Sequence, residues 1–350
     1  MEAFITIAEI GEFALIAAIE KVLPGNAGVV VGIGDDAAVA RAPDGRVVAA
    51  TDMLIEGRHF RREWSAARDI GAKAAARNLA DIAAMGARPT ALLVSFAGPG
   101  TLEVGWVLDL VAGIAEEASG AGAAVIGGDT SSADGVMLAV TALGDLAGRP
   151  PVTRGGARAG NVVAVAGSLG SAAAGLALLR AGMVPSDSRQ AAPTEPARGD
   201  SVQLEAPLGE LVLAHARPRP PYAAGPEAAM LGATAMIDVS DGLIADVGHI
   251  AAASGVRIEL HSRAVAAEPV ARVDLLRRAA AVVADKVPGD ADWRRWVLTG
   301  GDDHALVAAF PADQDLPARW AVIGQVNAGN GVLVDGRDWT GAGGWEHFLG

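Results

Sequence analysis

Apolar and polar positions along this chain follow two rhythms that trade places from end to end. Alternating or continuous apolar runs of strand length occur at "VVVGIGDD", "RVVAATD", "TALLVSFA", "AAVIGGD" and "VMLAVTALGDL". Helical spacing fills the intervals. The clearest case covers 68–85, with Ile70, Leu79, Ile82 and Met85 on one face, Asp69 near its start, and Gly86 and Pro89 to stop it. Residues 1–25, ending at Pro24-Gly25, and 103–119 read as further helices. After Arg149-Pro150-Pro151 the pattern resumes with strand "NVVAVAG", helix 170–181, a helix near 224–232 and strand "TAMID". A helix capped by Ser240 follows, with Leu243, Ile244, Val247 and Ile250 on its apolar face. Strands "VRIEL", "HALVAAF", "WAVIGQV" and "GVLVDG" complete it. The prediction is an α/β chain of two domains, 1–149 and 150–350, and 350 residues suit two. Residues 183–208, rich in Pro, Ser, Ala and charge, read as a flexible insertion in the second domain.

Composition narrows the function. Hydrophobic residues make up 51% and charged ones 20%, enough for large cores packed from Ala, Val and Leu. A net charge of −13 speaks against a nucleic-acid or anionic-membrane surface, which needs clustered Lys and Arg. With no cysteine there is no disulfide, thiol nucleophile, iron–sulfur cluster or thiolate zinc site. The N-terminal segment is acidic and amphipathic, without a basic leader, and no apolar run is long enough to span a bilayer. The expected compartment is the cytoplasm.

The positions of aspartate carry the chemistry. Asp35 and Asp36 in "GIGDDAAV", Asp52 in "AATDML" and Asp129 in "IGGDTSS" stand where apolar strands are expected to end. Asp238 and Asp241 in "MIDVSDGL", and Asp302 and Asp303 in "TGGDDHAL", repeat the arrangement in the second half. Asp81 differs: it falls among Leu79, Ile82, Ala83, Ala84 and Met85 of a helix, where a carboxylate is costly unless paired or metal-bound. Any one of these is most simply a turn or cap aspartate. Together they suggest oxygen ligands for hard cations that share a polyphosphate. Asn78, one turn before Asp81, is placed to orient it.

Familiar nucleotide signatures are missing. There is no G-x-x-x-x-G-K-[ST] loop, and the only lysines are Lys21, Lys73 and Lys286. Kinase H-R-D and D-F-G motifs and a G-x-S-x-G elbow are absent too. Phosphoryl transfer without a loop lysine relies on metals and arginines. Gly127-Gly128 and Gly300-Gly301 would let main-chain N–H groups approach phosphate. His59, beside Arg58 in "IEGRHF", suits an anionic group or plain solvent equally well.

Read together, "GEFALIA", "VGIGDDAAV", "TDMLIEGRHF", "NLADIAAMGARP", "IGGDT", "VTRGGARAGNVVAVAG", "AMIDVSDGLIADVGHIA", "LTGGDDHAL" and "WEHF" resemble the thiamine-monophosphate kinase family, of the aminoimidazole ribonucleotide synthetase-like superfamily. The match runs from residue 11 to 348. It implies a two-domain α/β fold whose N-terminal sheet pairs across a homodimer, with clefts between the domains as active sites. It implies ATP- and Mg²⁺-dependent phosphorylation of thiamine monophosphate to thiamine diphosphate. By motif, Asp36, Thr51, Asp52, Asp81, Asp129, Asp238 and Asp241 would ligate Mg²⁺. Gly128, Asp129, Arg154 and Ser240 would meet ATP. His59, Asp302 and either Trp339 or Trp345 would meet the acceptor, an indole stacking on its cationic or heteroaromatic ring. No residue is implied as a general base, since the acceptor is already an anionic phosphate.

Two features depart from that family. Its usual "GGED" reads "GGDD" here, one methylene shorter at Asp302, and 183–208 is extra. The alternatives are an aminoimidazole ribonucleotide synthetase-type enzyme and a catalytically idle nucleotide-binding dimer. The first would be separated by its substrate, the second by loss of the carboxylates, which this chain retains.

Overall fold

The computed structural model describes residues 5–32, 38–185, 202–339 and 343–344. Asp35, Asp36 and Trp345 lie outside them, as does 186–201 of the insertion. The described residues fall into two compact units: one holds the chain up to Ile82 together with Ala87–Gly148, the other Ala83–Gly86 and the chain from Arg149 onward.

The first unit starts with α1 (Ile7–Ile10) and α2 (Glu12–Val22), where one helix is expected; Gly11, at φ 76°, splits it. Next come β1 (Val29–Val31), β2 (Val39–Ala40), β3 (Val48–Ile55), α3 (Ala67–Ala84), β4 (Arg88–Gly98), α4 (Val104–Gly120), β5 (Ala124–Ser132) and β6 (Met137–Asp145). The main sheet runs β3-β6-β4-β5. Only β4 and β5 are parallel, because α4 carries the chain back between them. Leu54, Leu92, Leu138 and Val140 on one face of the sheet and Ile70, Leu79, Ile82, Leu110 and Ile114 of α3 and α4 have almost no exposure. On the other face two cross-strand rows, Thr51–Thr141–Leu93 and Met53–Ala139–Ser95, stay open. Met53 is 48% exposed and Leu93 37%. The β1–β2 pair covers only the corner at Ala91, Ala124 and Ile126. Both acidic strands run past their aspartates. Asp52 lies inside β3 and Asp129 inside β5, not at their ends, because β6 and β4 offer hydrogen-bond partners beyond those points.

The second unit contains β7 (Val162–Ala166), α5 (Ser171–Arg180), β8 (Met183–Pro185), β9 (Val202–Leu204), α6 (Ala206–Ala216), α7 (Ala224–Met230), β10 (Ala235–Asp238) and α8 (Leu243–Ser254). It continues with β11 (Arg257–Leu260), α9 (Ser262–Val265), α10 (Val273–Val283), α11 (Trp293–Thr299), β12 (Leu306–Phe310), β13 (Trp320–Asn327), β14 (Gly331–Val334) and β15 (Arg337–Asp338). Its sheet runs β10-β12-β7-β13-β11-β14-β15, antiparallel except where β14 joins β11. Phe310 and Trp320 meet edge to face at 5.1 Å over a floor of alanines. The insertion is shorter than its composition suggests. β8 pairs with β9, closing its two ends together, and α6 begins within the expected loop with a proline in its first turn. α10 escaped notice, although Leu275, Leu276, Ala279, Ala280 and Val283 form a regular buried stripe. Among the described residues no helix is long and apolar enough to cross a membrane.

Candidate functional site

In the first unit, α3 grips β3 from below. The Asn78 side chain is fully buried; its Oδ1 accepts the Asp52 N–H at 2.8 Å and its Nδ2 donates to the Ala74 carbonyl at 2.9 Å. Arg77, one position back, lies 3.3 Å from the Asp52 carboxylate. Asn78 therefore holds the Asp52 backbone in place. Asp81 itself is half-buried rather than enclosed, since the wholly shielded positions around it are Leu79, Ala80 and Ile82. Its desolvation is milder than the sequence implied. Thr51 takes the opposite, open face, donating to the Val140 carbonyl and accepting from the Thr141 hydroxyl, both at 3.1 Å.

Across the sheet, β5 lies so close to β4 that a Cβ on Gly128 would stand 1.9 Å from the Val94 carbonyl oxygen, so only glycine fits. Asp129 follows it, exposed and in register with Ser95. β3 and β5 are opposite edges of the sheet, three strand spacings or about 14 Å apart. Within this unit, then, Asp52 and Asp129 are not brought to one ion. Beside Gly127, Gly128 and Asp129 opens an apolar cavity of about 130 Å³. Ile16, Ile19 and Leu23 of α2, Leu110, Val111 and Ile114 of α4, and Phe96 of β4 help to line it. His59, just beyond β3, accepts the Ile55 N–H on Nδ1 at 3.0 Å; its neutral ring keeps the proton on Nε2, as a donor.

In the second unit, β10 ends at Asp238, which is 4% exposed. The segment 239–242 then leads into α8. Alongside it runs 300–305: the Asp302 N–H donates to the Ser240 carbonyl and the His304 N–H to the Val239 carbonyl, each at 2.9 Å. Gly301 sits so close that a Cβ there would be 2.3 Å from the Ser240 oxygen. These contacts gather Asp238, Ser240, Asp241 and Asp302. Ser240 is not the cap of α8; that position is Gly242. The Asp246 carboxylate reaches back instead and accepts the N–H groups of Asp241 (3.1 Å) and Gly242 (3.0 Å). Burial, then the charge of Asp238, pushes Asp246 up to about 7. Asp303 turns inward and accepts the Gly170 and Ala172 N–H groups at 2.6 and 2.9 Å. Desolvation raises it, too, to about 7, against the lowering effect of those two bonds. His304 is 1% exposed, with Nδ1 3.0 Å from Asp238 Oδ2. Arg154 is exposed and its carbonyl accepts the Ser254 hydroxyl at 3.2 Å. Trp339 is half-buried just after β15.

Among the described residues no three carboxylate or imidazole groups stand ready around one point. The candidate donors are nevertheless all hydroxyl and carboxylate oxygens, the set that suits Mg²⁺. Sequence reasoning missed Asp246 and His304. Nothing local marks them; a carboxylate four residues inside a helix start and a histidine after an acidic pair become distinctive only when they meet Asp241 and Asp238.

Residues 34–146 match the family model "AIR synthase related protein, N-terminal domain". A thiamine-monophosphate kinase of Mycobacterium tuberculosis is 46% identical over 98% of this chain and 93% of its own length. The chain belongs to the thiamine-monophosphate kinase family. Among solved structures, a thiamine-monophosphate kinase from Stenotrophomonas maltophilia K279a aligns with TM-score 0.74 and 33% identity, covering 94% of this chain and 98% of that one. AaThiL complexed with AMPPCP and TMP aligns with TM-score 0.73 and 30% identity, covering 98% and 99%. Membership in this family sets aside the aminoimidazole ribonucleotide synthetase alternative. It also gives the departure at Asp302 a place: the shorter acid sits on a loop held by main-chain bonds to 239–240.

Proposed function

We propose that this protein transfers the γ-phosphoryl group of ATP to thiamine monophosphate, giving thiamine diphosphate and ADP, in the cytoplasm. The observation that carries the reading is the pairing of 300–305 with 238–242. It puts a candidate acceptor contact, Asp302, on the same scaffold as candidate metal and nucleotide contacts, Asp238, Ser240 and Asp241. In-line transfer needs such fixed spacing between donor and acceptor more than it needs a base, because a phosphate acceptor is already deprotonated.

Mg²⁺ ions, when bound, would lower the repulsion between the two anionic reactants. The residues that would hold them are Asp36, Thr51, Asp52, Asp81, Asp129, Asp238 and Asp241. Arg77 orients the Asp52 carboxylate while Asn78 fixes the backbone that carries it, and His304 orients the Asp238 carboxylate. Gly128 exposes main-chain N–H groups to phosphate, with Arg154 and Ser240 as further ATP contacts. The cavity beside Gly128 takes the purine ring, which its apolar walls suit. On the acceptor side stand His59, donating from Nε2, Asp302, and Trp339 or Trp345.

The active form is a homodimer built on the open face of the first unit's sheet. A twofold pairing there can bring β5 of one copy toward β3 of the other, an approach no single chain makes across about 14 Å.

The test is a product assay with ATP and thiamine monophosphate. We expect thiamine diphosphate with Mg²⁺, partial activity with Mn²⁺, and none in excess EDTA. Asp81→Asn should lower turnover at least about 100-fold with an unchanged melting temperature, roughly 2.7 kcal/mol of transition-state stabilisation. Turnover within about threefold of the parent would remove Asp81 from the metal set.

A further inference from the structure

Segment 300–305 is held more firmly than a loop that merely contacts an acceptor requires. Two non-glycine residues, Asp302 (φ 66°) and His304 (φ 52°), adopt the left-handed conformation, which persists only where the surroundings over-determine it. Three sets of ties do so. Main-chain bonds join Asp302 to Ser240 and His304 to Val239. The Asp303 carboxylate bridges the first amides of α5. The buried His304 ring meets Asp238 at 3.0 Å.

That last tie fixes the tautomer. With the ring neutral, the hydrogen bond to the carboxylate puts the proton on Nδ1 and leaves Nε2 as an acceptor. Nε2 is buried and makes no hydrogen bond among the described residues. The nearest carboxylate oxygen, Asp302 Oδ1, lies 3.9 Å from it, and two acceptors cannot bond to each other. They are, however, placed to share one donor with two hydrogens, an amine of the bound acceptor or a water carried with it.

We propose that His304 is a positioning residue that couples Asp238 to Asp302. Its Nδ1–H holds the Asp238 carboxylate in one orientation, and its Nε2 shares with Asp302 the donor that arrives with the acceptor. One rigid ring thereby sets the separation between the metal-holding and acceptor-holding carboxylates. The inference rests on the proposed roles of Asp238 and Asp302 in phosphoryl transfer.

The experiment compares His304→Leu with His304→Asn in the full chain. Asparagine tolerates the left-handed backbone and can place its amide N–H near the position of Nδ1; leucine keeps bulk without a donor. We expect His304→Leu to lower kcat/KM for thiamine monophosphate roughly 10- to 100-fold, with a KM rise of at least about fivefold. His304→Asn should recover most of the kcat loss but not the KM rise, because it lacks the Nε2 acceptor. Calorimetric titration with thiamine monophosphate supplies a readout without turnover. A magnesium complex of a non-hydrolysable ATP analogue should change its affinity at least about fivefold in the parent and under twofold in His304→Leu. If leucine and asparagine act alike, or KM is unmoved while only active fraction and melting temperature fall, His304 is a structural core residue and the proposal is overturned. Should the leucine variant fail to fold, His304→Gln takes its place, since it offers a group near Nε2 but none near Nδ1; the opposite kcat and KM pattern to asparagine is then required. The ¹⁵N shifts of the parent's histidines test the tie independently of activity. An Nε2–H tautomer at His304 would overturn the inference even in an active enzyme, whereas an inactive parent with the Nδ1–H tautomer would refute only the proposed reaction.

Discussion

Asp303 illustrates how a half-buried residue with no assigned role in the reaction still sets a property of the whole protein. Its carboxyl is shielded, accepts the first amides of α5, and is raised from the ordinary 3.8 to about 7. A group whose folded pKa lies above its unfolded value adds stability that is complete below the unfolded pKa and lost as pH rises through the folded one. Stability conferred by Asp303 is thus full below about pH 4 and gone above about pH 7. Within that window it declines by at most about 1.4 kcal/mol per pH unit. Asp303→Asn should flatten the fall in stability between pH 5 and 7, measured by urea unfolding. It should not abolish it, because Asp246 titrates in the same sense. A variant whose slope equals the parent's would show that Asp303 is ionised in the native state at pH 5. The asparagine should also be less stable at every pH, since one of the two α5 amides would face an –NH₂ group.

At the scale of elements, the β4–α4–β5 crossover makes the apolar cavity. The parallel return of β5 leaves Gly128 against Val94, while α2 and α4 stand apart enough to leave space beside it. Val111 lines that space from α4 and is 8% exposed. Val111→Trp should fill part of it. Overpacking of this kind costs about 1–3 kcal/mol in a closed core and less in a site with an open mouth. We therefore expect KM for ATP to rise at least about tenfold with little change in KM for thiamine monophosphate. The melting temperature should stay within a few degrees of the parent's. An unchanged KM for ATP with a raised melting temperature would mean the cavity is a packing defect and not the purine's place.

For the whole molecule, the decisive feature is a sheet with one face in the core and the other open. Met53, Leu93 and Ala139 alternate there with Thr51, Thr141 and Ser95 at positions where a solvated sheet face would carry charged side chains. Stable dimers bury about 1,200–2,000 Å² in total. Met53→Glu combined with Ala139→Glu should convert the proposed dimer to a monomer in sedimentation experiments at micromolar concentration. Activity should fall in proportion to the monomer fraction. A parent chain that sediments as a monomer would sink the assembly, and full activity in a monomeric variant would separate assembly from catalysis.

The sequence alone determined the order of most elements. Hydrophobic periodicity reports directly which side of each segment is buried, as the match of 68–85 with α3 (Ala67–Ala84) shows. It also picked out the carboxylates, because acids beside glycine or amid apolar runs stand out from any background, and their joint spacing carried the family resemblance. It misplaced Asp52 and Asp129 at strand ends, since period-2 patterns fade where strand pairing, not burial, prolongs a strand. It missed α10 despite its regular stripe, and α6 because polar loop composition ran into its first turn. Only the tertiary structure decided which distant groups meet. Asn78 met the Asp52 backbone, β3 and β5 became opposite edges of one sheet, and His304 met Asp238 across 66 residues. Periodicity records how deeply a position is buried; the identity of its neighbour depends on strand order and register, which no local pattern encodes.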